Sequence, residues 1–210
     1  MSNLVKLNAS RATQVTSRYE LDEELESLLA PEMTPEDFIR VLIEQNQFLE
    51  CVRFLAHALP KREGIWWACL ATRSTHTPET EQLRLQTLKV TESWVRNPTE
   101  ELRKQAEKLA ALGKHKTPDS WAATAAFWSV GSIADEDAPP MPAPPYLYAH
   151  AVSGAIGLAA VAESEEEINK RYQRFLSQGL DLACGGKGMI HDDVLAMLDT
   201  TEQSPATVCQ

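Results

Sequence analysis

Apolar residues along this chain recur every three or four positions, the spacing that brings side chains to one face of a helix. Leu21, Leu25, Leu28 and Leu29 form a first stripe, and Phe38, Ile39, Leu42 and Ile43 a second. Phe48, Leu49, Val52, Leu55, Ala56 and Leu59 continue it, and a new helix is predicted from Pro60 through Arg73. Leu83, Leu85, Leu88, Trp94 and Val95 mark the next, and Leu102, Ala106, Leu109 and Ala110 a narrower one that Gly113 ends as a C-terminal cap. Trp121, Ala125 and Trp128 share a face over 120–130. The run 146–162 is apolar on all sides, as a central helix would be. Ile168, Tyr172, Phe175, Leu176 and Leu180 pattern a helix over 165–183 that Gly185-Gly186 stops, and Val194, Leu195 and Leu198 predict a short last one. No long alternating strand pattern appears, so the expected fold class is all-α.

Helix starts support this. A capping residue followed by proline occurs at Thr34-Pro35, Thr77-Pro78, Asn97-Pro98 and Thr117-Pro118. The side-chain oxygen can accept an orphan N–H of the first turn, and proline lacks only an N–H that would be unpaired there. Acidic residues follow each time, complementing the positive end of the helix dipole. Ser17-x-x-Glu20 and Asn97-x-x-Glu100 have capping-box spacing. Starts near 78, 98 and 118 suggest a HEAT-like repeat stack as an alternative, but their side chains do not recur in register. The expectation is an irregular bundle of about eight or nine helices.

Five prolines within 139–145 forbid helix and predict a stiff extended crossover over 135–145. The expected organisation is a flexible N-terminus over 1–17, one helical domain over 18–198 containing that crossover, and a flexible tail over 199–210.

Composition narrows the function. Hydrophobic residues make up 43% and the formal charge is −10, which argues against generic binding to nucleic acid or anionic membranes. Residues 1–20 lack a secretory h-region, and 146–162 is short for a bilayer span and carries His150. Cys51, Cys69, Cys184 and Cys209 show no zinc-ligand spacing, so a reduced cytoplasmic protein without cofactor or metal is expected. Cys184-Gly-Gly-Lys-Gly188 lacks the distal glycine and the hydroxyl of a phosphate loop. Asp192 or Asp193 reads more simply as a helix cap than, with His191, as a metal ligand.

The densest candidate chemistry is His57-Ala-Leu-Pro60-Lys-Arg62-Glu63-Gly-Ile-Trp66-Trp67. His57, Arg62 and Glu63 could move protons, but no nucleophile or second carboxylate is tied to them by spacing, so an ionic lock at a helix corner is favoured. Arg62 falls in a first helical turn, where its charge opposes the dipole, and a carboxylate partner, Glu63 or Glu50, is expected. Trp66 and Trp67 point about 100° apart on their helix, so one is expected in the core and one at the surface. An exposed tryptophan beside charges is a good protein-binding anchor. The candidate protein-binding set is Trp66, Trp67, Arg62, Glu63 and His57.

Residues 54–73, FLAHALPKREGIWWACLATR, resemble the LAHALPxRExxWWAC signature of an uncharacterised bacterial domain family. Ser93–Pro98, Thr117-Pro118-x-x-Trp121-Ala122, Ala126-Phe127-Trp128-Ser129, the proline run and Arg171-Tyr172-x-x-Phe175-Leu176-x-x-Gly179-Leu180-Asp181 are also similar, so the resemblance covers residues 40–184. Its members resemble accessory proteins of type VI secretion gene clusters and have no established activity. The resemblance therefore implies a non-enzymatic cytoplasmic adaptor, chaperone or assembly factor, with a secretion component or effector as protein partner. It transfers no catalytic residue. The alternatives are a small-molecule-binding or enzymatic site at the His57/Arg62/Glu63 corner, and a homo-oligomer formed through the helices near 121–130 or 146–162.

Overall fold

The computed structural model describes residues 4–134 and 137–199. They form eleven α-helices, nine of them seven residues or longer, and no strand. The helices are α1 (Ala12–Thr16), α2 (Glu23–Glu26), α3 (Pro35–Glu44), α4 (Phe48–Ala58), α5 (Lys61–Arg73) and α6 (Gln82–Arg96). They continue as α7 (Glu100–Leu112), α8 (Pro118–Ser129), α9 (Leu147–Ala160), α10 (Ile168–Ala183) and α11 (Asp192–Leu198). None is long and apolar enough to cross a membrane.

The all-α expectation holds, as a bundle and not a repeat stack. Helix α9 packs against α4, α5, α8 and α10, and α10 returns to α4 and α5. In a stack each repeat would touch only its sequence neighbours. Alanines make the centre close-packed: Ala122, Ala123, Ala125 and Ala126 of α8 and Ala151, Ala155 and Ala159 of α9 are all fully buried. Phe38, Phe54, Leu55, Ile65, Trp67, Ile156 and Leu176 fill the space around them, and each such side chain contributes roughly 1.5–3 kcal/mol by leaving water. The expectation that α9 is covered on all sides needs correcting, since His150 is exposed and Ser153, Gly154, Gly157 and Leu158 are half-buried.

Two of the four cap–proline starts stand where expected: Thr34 accepts from the Asp37 N–H and Thr117 from the Ser120 N–H. The other two are displaced. Asn97 ends α6, and Thr99, beyond Pro98, caps α7 through the Leu102 N–H. At Thr77-Pro78 the polar groups are spent on a turn, where the Thr80 N–H donates to the Thr77 carbonyl at 3.0 Å and the Thr77 N–H to the Thr80 hydroxyl at 2.7 Å. Helix α6 then starts only at Gln82. Ser17 closes α1, and Asp22 caps α2.

The N-terminal segment, expected to be flexible, is packed from residue 4. Leu4 and Val15 are buried, Lys6 N–H donates to the Ala183 carbonyl at 2.9 Å, and Asn8 N–H donates to the Ala58 carbonyl at 3.1 Å. A few apolar residues suffice because helix-end carbonyls offered by α4 and α10 tie down the backbone between them. The proline run is described from residue 137 and lies exposed apart from half-buried Ala143. It is joined to the body where the Ile133 N–H donates to the Met141 carbonyl at 2.8 Å. Residues 135 and 136, and the expected tail from residue 200, lie outside the described residues. Fully buried Arg103 fixes the entry to this crossover, donating to Glu100 and to the carbonyls of Phe127 (2.8 Å) and Ser132 (3.0 Å).

Candidate functional site

The 100° offset of adjacent helical residues separates the two tryptophans of α5. Trp67 is fully buried, and its Nε1–H donates to the Phe175 carbonyl at 2.7 Å. Gly179 of α10 makes room for it, since a Cβ there would lie 2.7 Å from the indole. Trp66, a quarter-turn or so around the helix, is half-buried against the edge of the core and donates from Nε1 to the Lys187 carbonyl at 3.0 Å. It forms one wall of an open groove of about 520 Å³ between α5, the end of α6 and the turn after α10. Arg62, Glu63, Arg96 and Lys187 supply its charges, and Val95 and Leu182 an apolar side.

Among the described residues, Arg62 does not pair with a carboxylate. Its Nε donates to the Val95 carbonyl at 3.0 Å, and its Nη2 to the carbonyls of Val95 (2.6 Å) and Arg96 (3.3 Å). The last carbonyls of a helix are unpaired and carry the negative end of its dipole, so the end of α6 compensates a cation placed unfavourably at the start of α5. The two expected partners are engaged elsewhere: Glu50 with Arg53 at 2.9 Å and Glu63 with Lys6 at 3.5 Å.

His57 does not line the groove. It is fully buried, with Tyr19 and His150 rings 4.6 and 4.7 Å from its own. Nδ1 lies 2.9 Å from the Arg53 carbonyl, which assigns the ring proton to Nδ1 and leaves buried Nε2 unpartnered. Burial disfavours the imidazolium and pushes the pKa down to about 4 against the pull of the Arg53 carbonyl, with His150, Arg18 and Arg53 adding to the depression. The ring is therefore neutral near pH 7. Neighbouring Glu50 is displaced the other way, its carboxyl held above the ordinary range by burial.

Asp181, which in the sequence stands out only as the last residue of the Arg171–Asp181 resemblance and not as a site candidate, organises the groove's far wall. Its Oδ2 accepts from the N–H groups of Gly188 (2.8 Å) and Met189 (2.9 Å), and its Oδ1 lies 2.8 Å from His191 Nε2. Burial raises its pKa, but the hydrogen bonds from Met189, His191 and Gly188 outweigh that and hold it below the usual carboxylate range. The clasp folds residues 184–191 into the compact turn that carries Lys187 to Trp66. Gly188 has φ +86°, a backbone conformation that strains any other residue, and a Cβ there would sit 2.2 Å from Leu70 Cδ1 and push that side chain aside. One signal was legible: an aspartate near a helix C-terminus opposes the dipole and needs donors, and a glycine-rich turn offers them. His191, rather than Asp192 or Asp193, occupies the N-cap of α11, and no side chain caps that helix.

A second cavity of about 340 Å³ between α10 and α11 brings Asp181, His191 and Cys184 together. Burial, with the Asp181 charge, pushes the Cys184 thiol up, which disfavours a thiolate nucleophile. No group of three or more His, Cys, Asp or Glu side chains among the described residues is placed to hold a metal ion.

Residues 38–183 match a family whose description reads "Family of unknown function (DUF6931)", and the chain belongs to it. The match includes α4 to α10, hence Trp66, Trp67, Arg62 and Asp181, and ends before Lys187. No curated protein and no solved structure matches the chain.

Proposed function

We propose that this member of a family of unknown function is a non-enzymatic, cytoplasmic protein-interaction factor whose partner docks in the groove beside Trp66. The observation that carries this reading is the half-buried indole itself. It sits in an open groove rimmed by charges, and its N–H is held by the Lys187 carbonyl, so the ring is already fixed before a partner arrives. Such aromatic anchors, ordered in advance and partly desolvated, are where binding energy concentrates. The alternative of a catalytic or small-molecule site at the His57/Arg62/Glu63 corner has weaker support, because only Arg62 and Glu63 reach the groove.

The resemblance of residues 54–73 extends the proposal to a role as adaptor, chaperone or assembly accessory of a bacterial type VI secretion system. The test is affinity capture from the native bacterium under mild conditions, with Trp66→Ala alongside. A secretion component or effector should be retained by the wild-type chain. The folded variant should lose it, since removing a central tryptophan costs about 2 kcal/mol or more, roughly a 30-fold change in affinity. Recovery of no secretion component would remove the secretion role. Equal capture by Trp66→Ala would remove the groove.

A further inference from the structure

We infer that the groove beside Trp66 accepts an acidic segment of a partner protein, one carrying a flat apolar or aromatic side chain. This rests on the docking reading above and adds the chemistry of the occupant.

The charge pattern carries the inference. The chain as a whole is strongly acidic, at −10, yet the groove is lined by three cations, Arg62, Arg96 and Lys187, against one anion. That anion, Glu63, already faces Lys6 at 3.5 Å. Arg62 is directed at uncharged carbonyls, and no carboxylate among the described residues pairs with it. Arg96 reaches Glu92 only at 3.6 Å with its side chain 68% exposed, and the same nearly buried carboxylate also serves Arg73. One carboxylate thus answers two guanidiniums, leaving a positive surplus at the rim. The ammonium of exposed Lys187 has no hydrogen bond or ion pair among the described residues. Positive charge concentrated on an acidic protein attracts an acidic partner and repels a basic one.

The apolar part of the groove sets the second requirement. Half-buried Trp66 supplies most of the accessible apolar wall, backed by the nearly buried Val95 and Leu182, and its indole can take one planar side chain against it. A nucleic acid fits less well. Tight phosphate tracking uses about six or more cations in a line, and this groove has three on a protein whose overall charge repels a polyanion.

The test is fluorescence anisotropy with the full chain and three labelled short peptides, each with a central phenylalanine flanked by acidic, neutral serine or lysine residues. A single-stranded oligonucleotide serves as a fourth probe. The acidic peptide should bind about tenfold or more tightly than the neutral one, with the advantage shrinking as salt is raised. The lysine peptide should not bind. The double variant Arg96→Glu/Lys187→Glu, whose side chains are exposed, should keep its circular dichroism and weaken the acidic peptide about tenfold or more. Equal binding of the three peptides, failure of the acidic one, or tighter binding of the oligonucleotide would overturn the inference. The protein captured in the experiment above separates this failure from failure of the docking reading. Loss of capture with Trp66→Ala but not with the charge reversal keeps the groove and removes the acidic occupant; loss with neither removes the groove itself.

Discussion

Protonating His57 should cost the fold a calculable amount. In the unfolded chain a histidine titrates near 6.5, whereas burial brings the folded-state value down to about 4. Between those values the unfolded state binds the extra proton and the folded state does not, so acidification favours unfolding. The fold keeps the full benefit above about pH 6.5, loses it progressively as pH falls, and reaches the full penalty below about pH 4. At pH 5 the difference amounts to about 2 kcal/mol, and the whole shift corresponds to about 3 kcal/mol. Working at pH 5 or above limits interference from Asp37, Glu100 and Asp181, whose carboxyls are lowered and lose their stabilisation mainly at more acidic pH. Glu50, with a raised carboxyl, contributes in the opposite sense, so the wild-type curve alone is not decisive. His57→Gln keeps a donor available for the Arg53 carbonyl and has nothing to titrate. Urea unfolding at pH 7 and pH 5 should show the wild type losing about 2 kcal/mol more than the variant. The His57 ring protons should titrate near 4 by NMR. Identical pH dependences for the two proteins, or a ring titration near 6.5, would refute the placement of this histidine in a desolvated site.

Other predictions follow from the groove and its supports. Gly179→Ala gains about 1 kcal/mol of helix propensity but forces a Cβ against Leu55 and the pinned Trp67 indole, so a net loss of about 1 kcal/mol and a lower Tm are expected. An unchanged or raised Tm would mean that α10 can shift freely over Trp67. Asp181→Asn removes the charge that gathers two N–H groups and His191, and should cost about 2 kcal/mol and shift tryptophan emission to the red as the turn leaves Trp66. Unaltered emission would show that Trp66 does not depend on that turn. Arg62→Met frees the last carbonyls of α6 and should cost about 1.5–3 kcal/mol, with faster amide exchange confined to residues 90–97. Global acceleration instead would place Arg62 in the core's stability.

Most of the helices from α3 onward, and the fact that Trp66 and Trp67 must face differently, were legible in the sequence; which of the two is buried, and helix α1 inside the segment expected to be flexible, were not. The legible features follow from local rules: apolar spacing selects a helix face, and adjacent residues on a helix point about 100° apart. Local rules also misled where a residue had two uses. Thr77 satisfies a turn as readily as a helix start, and Ser17 closes a helix instead of opening one. The packing of the segment around Leu4 was out of reach because it depends on carbonyls supplied by α4 and α10.

The sequence by itself determined that this protein is a helical bundle with its tryptophan pair at the corner after Pro60. Only the tertiary structure decided what that corner does. Arg62 was expected to seek a carboxylate and instead caps a helix remote in sequence; His57, a short way before it along the chain, is fully buried. The groove needs α5, α6 and the Asp181-clasped turn together, three segments joined by no periodicity or motif. Electrostatic partners and concave surfaces arise from distant residues meeting in space, while helix formation is decided within a few turns of chain.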